Sequence, residues 1–136
     1  MNAMKKPLCI AIILLLIAAM LAVLLFYTLP KHFDAKNATR ITVFVGATGE
    51  RVEITDPDAV SNITQSITSL SFRRGKRADI DGFRYTLTWY DGDGNSLLSL
   101  SFLGDDEKLI YKGRFYHVTG DGEIDLAPIN VIVNAE

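Results

Sequence analysis

The fold of this chain is decided by residues 83–102, which have the sequence FRYTLTWYDGDGNSLLSLSF. Large apolar side chains occupy every second position on both sides of the central turn, namely Phe83, Tyr85, Leu87, Trp89, Leu98, Leu100 and Phe102. Such alternation predicts half-buried β-strands. The Asp-Gly pairs between the two runs favour the positive φ angles of a tight hairpin turn. We therefore expect an antiparallel hairpin with one apolar face.

Further strands are predicted on both sides of this hairpin. Residues 40–46 and 51–55 also alternate, and a short glycine-containing turn at 47–49 joins them, so they are expected to form a second hairpin. Toward the C-terminus, residues 108–111 and 114–118 are expected to form two shorter strands. Together with the central hairpin, these segments predict six strands joined by short turns.

Two helices are predicted between and after these strands. Asp56 and Pro57 supply an N-cap acceptor followed by proline at the first helical position. The apolar residues that follow recur at three- and four-residue spacing: Val60, Ile63, Ile67 and Leu70. This spacing predicts an amphipathic helix. For residues 125–133 we favour a short helix behind Asp125, although the β-branched residues there also fit a strand.

The resulting order of elements is β-β-α-β-β-β-β-α. Strands joined by two- to five-residue turns pair antiparallel, and an antiparallel sheet commonly buries only one of its faces. The sequence therefore predicts an α+β domain over residues 40–136, with an antiparallel meander sheet in one layer and one or two helices covering it. Residues 30–39 are predicted to be a polar linker, because they show no periodicity.

An uncharged apolar segment precedes this domain. Residues 8–27 contain no charged side chain, and twenty helical residues span about 30 Å, the thickness of a bilayer's hydrocarbon core. We predict a transmembrane helix over residues 8–29 that contacts the lipid bilayer. Because Lys5 and Lys6 precede it without any acid, residues 1–7 are expected in the cytoplasm and the domain outside. The run is longer than the apolar region of most export signals, which favours an uncleaved signal anchor over a cleaved signal.

Composition excludes several classes of protein. The 136 residues carry a formal charge of −2, and all sixteen acidic residues follow Pro30. An acidic exported domain is unsuited to nucleic acid, so no nucleic-acid partner is expected. A single cysteine, Cys9, rules out a disulfide-stapled miniprotein. No phosphate loop or dinucleotide fingerprint is present, so no cofactor is predicted.

A dense cluster of positive charge follows the first helix of the domain. Arg73, Arg74, Lys76 and Arg77 place four cations in five residues. Such a basic cluster binds phosphate-rich polymers or anionic lipid headgroups when it is functional. The alternative interpretation is a solvated loop whose charge is partly neutralised by the nearby Asp79 and Asp81.

The predicted helix 57–70 has an uncharged polar face. Its hydroxyl and amide side chains include Ser61, Thr64, Gln65 and Thr68. A solvated helix face normally carries charged residues. We therefore regard these four residues as a candidate contact face, with an ordinary exposed helix as the alternative.

Two further patterns in the sequence are relevant to metal binding and catalysis. Asp91, Asp93 and Asn95 match the first three ligand positions of a calcium loop, but Ser96 and Phe102 stand where that loop needs glycine and glutamate. A hairpin turn is the preferred interpretation. His117 is the only histidine with a position suited to a general base, and no G-x-S-x-G motif accompanies it. The sequence therefore indicates no catalytic residue and no metal site.

Several of these segments together resemble a known kind of domain. The motifs that carry the resemblance are Val52-x-Ile-Thr55, Gly82-Phe-x-Tyr-x-Leu-x-Trp-Tyr-Asp-x-Asp-Gly94, Ile110-Tyr-x-Gly-x-Phe-Tyr116 and Ile124-Asp125. They resemble a small exported domain of unknown function that recurs in membrane-anchored proteins and lipoproteins of Gram-positive, Firmicutes-type bacteria. The resemblance implies an extracytoplasmic location and brings no catalytic residues. Its lipoprotein members carry an acylated cysteine after the signal, which this chain lacks, so the helix itself would be the anchor.

We therefore expect a single-pass membrane protein whose small domain is not an enzyme and binds a protein partner or an envelope component. Two alternatives stay open. One is an envelope-acting hydrolase that uses His117, and the other is a structural or assembly subunit that acts through its transmembrane helix.

Overall fold

The computed structural model describes residues 2–79 and 82–134, which contain three helices and seven strands. In chain order they are α1 (Asn2–Thr28), β1 (Arg40–Val45), β2 (Arg51–Ile54), α2 (Pro57–Thr68), β3 (Phe72–Arg77), β4 (Tyr85–Tyr90), β5 (Ser96–Phe102), β6 (Lys108–Tyr111), β7 (Arg114–Val118) and α3 (Ala127–Asn134). The predicted α+β class is confirmed. Residues 1, 80–81 and 135–136 lie outside the described residues. They include the first residue of the predicted cytoplasmic stretch, Asp81 and the last two residues of the predicted domain.

The strands form one antiparallel sheet in the order β2-β1-β4-β5-β6-β7-β3. The central part, β4 to β7, is the predicted meander. The β1–β2 hairpin joins the β4 side, with Ile41 opposite Trp89 and Val43 opposite Leu87. Strand β3 joins β7 at the other edge, so the chain segment containing α2 connects the two edges of the sheet.

Strand β3 corrects the sequence interpretation of residues 73–77 as a loop. The segment has little apolar alternation, yet it pairs with β7 through Arg73 opposite His117 and Arg74 opposite Tyr116. The register shifts between Arg74 and Arg77, where Gly75 lies close to the His117 ring. Pairing with β7 thus outweighs the weak strand pattern of this segment, as tertiary context often does.

One face of the sheet is covered by α2 and α3 and carries the core. Trp89, Leu87, Ile41 and Phe102 on this face are fully buried. Helix α2 begins as predicted, because the Asp56 carboxylate accepts a hydrogen bond of 3.1 Å from the amide of Ala59. Its apolar stripe is buried, through Val60, Ile63 and Ile67. The favoured helical interpretation of the C-terminal segment is also confirmed by α3, in which Ile129 is buried.

The stretch 30–39 is irregular but attached to the domain. Lys31 exchanges two backbone hydrogen bonds, of 2.7 and 2.8 Å, with Phe72 at the start of β3. Phe33 is 3 % exposed, and its ring lies 5.1 Å from that of Phe72 and 5.0 Å from that of Tyr111, between centroids. The predicted polar linker therefore contributes to the core, which its lack of periodicity did not indicate.

Helix α1 differs from the other two because the domain core is complete without it. Its apolar segment Lys5–Phe26 is long enough to cross a membrane, and none of it is buried against the rest of the protein. By length and composition, this N-terminal helix of the described residues is compatible with a membrane anchor or a signal sequence.

Candidate functional site

The four predicted cations of the basic cluster all lie on β3, the edge strand nearest to α1. Arg73, Lys76 and Arg77 are exposed, whereas Arg74 is half-buried. The Arg74 guanidinium carbon lies 4.0 Å from the ring centroid of Phe26 in α1 and 5.9 Å from that of Tyr116 in β7. The cluster is therefore held beside the C-terminal end of the apolar helix.

Further cations at this end of the sheet were missed by the sequence reasoning. The Lys31 ammonium lies 5.7 Å from the Tyr111 ring centroid, and that of Lys112 lies 5.3 Å from it. Arg114 lies opposite Arg77 in the register and donates a hydrogen bond of 3.0 Å to the carbonyl of Gly75. These residues are scattered in sequence, so only the pairing of β3, β6 and β7 brings them together.

The basic cluster has no carboxylate partner among the described residues. In residues 2–79 and 82–134 a single salt bridge is present, at 2.9 Å between Arg40 and Glu53, which are on strands remote from β3. Asp81, one of the two acids considered as a local neutralising group, lies outside the described residues, and Asp79 forms no such bridge. Arg73 does share a surface depression with four acidic residues, so Lys76 and Arg77 are the exposed cations most accessible to opposite charge from another molecule.

The predicted contact face of α2 lines a groove of about 430 Å³. All four of its residues contribute: Ser61, Thr64, Gln65 and Thr68. The opposite wall is formed by Asn37, Thr39 and their alanine neighbours in the stretch 30–39. The groove is lined by hydroxyl, amide and small apolar groups, and it contains no charged residue.

Thr64 differs from the other three residues because its hydroxyl is used inside the domain. It accepts a hydrogen bond of 2.9 Å from the indole nitrogen of Trp89 and donates one of 2.6 Å to the carbonyl of Val60. Thr64 therefore satisfies the polar atom of a fully buried tryptophan. Ser61 and Gln65 are the exposed members of the face.

His117 borders a second depression, of about 470 Å³, on the face of the sheet that no helix covers. The charged residues that share its lining are Arg73, Asp106, Glu107, Asp121 and Glu123. No serine, threonine or cysteine belongs to the described residues lining it. Nor do three histidine, cysteine or carboxylate side chains converge into a metal-binding group anywhere in the described parts of the chain.

The Asp91–Asn95 segment is the turn between β4 and β5. The Asp91 carboxylate accepts hydrogen bonds from the backbone amides of Asn95, at 2.9 Å, and Asp93, at 3.0 Å. The hydrogen bond from the Asn95 amide is the largest cause of a pKa of Asp91 below its ordinary value. These bonds stabilise the turn itself, as expected for a hairpin.

The uncovered face of the sheet also presents rows of hydroxyl groups, which the sequence analysis did not single out. Thr86 pairs with Ser101 at 3.0 Å, and Thr88 pairs with Ser99 at 3.2 Å, between hydroxyl oxygens. The polar members of the alternating strands were visible in the sequence. Their assembly into one surface depends on the register between strands.

Comparison of the chain with protein-family models, with curated proteins and with solved structures finds no match. The resemblance to exported domains of Gram-positive bacteria therefore stays a prediction based on the motifs alone.

Proposed function

We propose that this chain is a single-pass membrane protein that presents a small, non-catalytic binding domain outside the cytoplasm. Helix α1 is the anchor in this proposal. The domain is expected to bind a protein partner or a component of the cell envelope.

The observation that carries the proposal is that no residue of the apolar segment Lys5–Phe26 is buried, beside a domain with its own core. Leu15 and Met20, for example, are each 72 % exposed. Burial of apolar surface contributes about 25 cal/mol per Å², so a helix of this composition in water would be strongly unfavourable. Hydrocarbon removes that cost, and a helix satisfies its own backbone hydrogen bonds there.

Charge supports the proposed orientation. Lys5 and Lys6 precede the apolar segment in a short stretch without any acidic residue, which favours keeping that end in the cytoplasm. The other flank is also basic, through Lys31 and Lys36, but there the cations are mixed with Asp34, so the charge bias is modest. We therefore place residues 1–7 in the cytoplasm and the domain outside.

The α2 groove supports a binding role. Its uncharged hydroxyl and amide groups suit a neutral polar segment of a partner, which would replace the water that now solvates them. Ser61 and Gln65 are the exposed groups best placed for such contacts.

The chain's single cysteine makes the topology directly testable. A Cys9→Ser background receives either Gly92→Cys, in the open turn after β4, or Asn2→Cys. We expect a membrane-impermeant maleimide to label Gly92→Cys on intact cells and Asn2→Cys only after lysis. The reverse labelling would refute the orientation.

Alkaline carbonate extraction of the same membranes tests the anchor separately. A spanning helix keeps the protein in the pellet, whereas release into the supernatant would refute the proposed span. The intact mass of the extracted chain distinguishes an uncleaved anchor from a cleaved signal.

The depression around His117 favours the hydrolase as a second candidate, because an imidazole there is surrounded by carboxylates that can act as acids or bases. The test incubates the purified full chain with isolated envelope material. Release of fragments by the wild type but not by His117→Gln would support hydrolysis. Equal release by both proteins, or none, would refute it.

The assembly-subunit alternative is tested by exchanging the span. Replacement of residues 8–27 with an unrelated apolar helix leaves the domain's core contacts unchanged, because no core residue belongs to that segment. A binding domain would keep its partners after the exchange. Loss of every crosslinked partner would instead identify α1 as the binding element.

A further inference from the structure

We propose that β3 and its neighbouring cations form a binding surface for anionic phospholipid headgroups where α1 leaves the bilayer. This inference rests on the proposed membrane-spanning role of α1. It assigns the basic cluster one ligand chemistry, the phosphodiester group of a membrane lipid.

The position of β3 relative to α1 is the first support. The Arg74 guanidinium carbon lies 4.0 Å from the Phe26 ring centroid, and Phe26 is the last residue of the apolar segment. The backbone bonds between Lys31 and Phe72 hold the start of β3 close to the helix end. A bilayer around α1 therefore brings its headgroup layer to β3.

Charge complementarity is the second support. The cations grouped at this end of the domain are Lys31, Arg73, Arg74, Lys76, Arg77, Lys112 and Arg114. None of them forms a salt bridge within the described residues. Guanidinium groups bind phosphate oxygens in a bidentate manner, and long basic side chains extend along apolar surface to reach a headgroup.

The aromatic contacts suit the same location. A guanidinium group within about 6 Å of a ring centroid is attracted to the face of that ring. The Arg74 guanidinium is within this distance of both Phe26 and the buried Tyr116, which keeps its charge at the level of the helix end. A surface made only to bind a soluble polyanion would need no such contact with the span.

The experiment uses the full chain in nanodiscs and follows hydrogen–deuterium exchange of residues 72–77. Nanodiscs of phosphatidylcholine alone are compared with nanodiscs that also contain phosphatidylglycerol. We expect exchange in β3 to slow about threefold or more in the anionic nanodiscs, since each cation near the surface contributes to lipid attraction. Residues 85–90, in central strand β4, should exchange equally in both.

The variant combines Arg73→Gln, Lys76→Gln and Arg77→Gln, which are exposed residues and leave Arg74 in its packed position. It should lose the difference between the two lipids. A matched control combines Lys36→Gln, Arg51→Gln and Arg84→Gln, which removes the same charges at exposed positions outside the cluster. The control should retain the wild-type difference.

Two results would overturn the inference. Equal exchange of wild-type β3 in both nanodiscs would show that the surface does not bind anionic lipid. Equal slowing by soluble polyphosphate over phosphatidylcholine nanodiscs would assign the cluster to a free polyanion instead. Failure of the anchor is recognised independently, by carbonate extraction, because that assay does not depend on lipid charge.

Discussion

The two faces of the sheet are formed by the same strands, but one face is buried and the other is partly exposed to solvent. On the covered face, Ile41, Leu87 and Trp89 follow the register between β1 and β4 and are completely buried. On the open face, their chain neighbours Thr42 and Thr88 pair in the same strands and remain partly exposed. The difference teaches that packing stabilises this fold mainly from the covered side, although Phe115 is also buried outside the main core cluster. The other side is available for polar recognition.

Loss of a core side chain from the covered face should have the largest effect. Trp89→Ala removes the largest fully buried side chain and is expected to lower the free energy of unfolding by about 3–5 kcal/mol. Urea unfolding of the full chain in detergent, followed by far-ultraviolet circular dichroism, measures this. Leu97→Ala, on the exposed side of β5, should cost only about 0.5 kcal/mol. Equal losses would contradict the comparison.

Removal of the hydroxyl that joins α2 to the covered face should have an intermediate effect. Thr64→Val leaves the buried indole N–H of Trp89 without its acceptor, at a cost of about 1–3 kcal/mol. A shift in the fluorescence of Trp89, the only tryptophan, reports the change directly. Thr64→Ser should restore both stability and spectrum, and Thr68→Val should leave the spectrum unchanged. An unaltered spectrum in Thr64→Val would argue against this contact.

The corresponding change on the open face should be small. Thr88→Val combined with Ser99→Ala removes both members of one hydroxyl pair. Simultaneous loss of both partners is nearly neutral where water replaces them, so we expect a change of about 0.5 kcal/mol or less. The same urea titration measures it. A loss as large as that of Thr64→Val would mean that the open face is as tightly packed as the covered one.

The smallest expected effect on stability comes from a change in the Asp91–Asn95 turn between β4 and β5. The pKa of Asp91 is lowered in the folded protein, chiefly by the hydrogen bond from the Asn95 amide. The ionised Asp91 carboxylate therefore stabilises the folded protein fully when the pH is above the ordinary carboxyl pKa. This stabilisation is lost as the pH falls through the lowered pKa that Asp91 has in the folded protein. Asp91→Asn should lower the urea midpoint slightly at neutral pH and give a flatter decline of that midpoint as the pH falls below the ordinary carboxyl pKa. An unchanged decline would assign the acid sensitivity to other carboxyl groups.

Local features of the fold were predictable because they depend on neighbouring residues. Asp56 and Pro57 begin α2 as expected, and the Asp91–Asn95 turn joins the two strands predicted around it. The alternation from Tyr85 to Trp89 also gave the buried face correctly. Periodicity is sufficient where one side of an element meets the core and the other meets solvent.

Long-range features were not predictable in the same way. Strand β3 has one large apolar residue, Phe72, followed by charged residues and Gly75, so its own sequence does not indicate a strand. Its formation depends on the free edge of β7, which is distant in sequence. The burial of Phe33 likewise depends on rings contributed by β3, β6 and β7. The basic cluster also depended on long-range packing, because only the contacts with Tyr111 bring Lys31 and Lys112 close to the predicted cations.

In a chain anchored by α1 as proposed, the two hydrogen bonds between Lys31 and Phe72 are the first backbone contacts of the domain that a pulling force would meet. If a bound partner pulls the domain away from the membrane, the force passes from α1 along the chain to Lys31. Lys31 is hydrogen-bonded to Phe72, the first residue of edge strand β3. These bonds and the Phe33 ring come under load first, because the rest of the sheet lies beyond them along the chain. Their release, together with that of the buried Ala35, frees the chain up to residue 38, where the bond from the Thr39 amide to the Tyr90 carbonyl begins the sheet. The freed residues 30–38 extend to about 30 Å. The stretch between α1 and β1 can thus lengthen under force before the sheet itself unfolds.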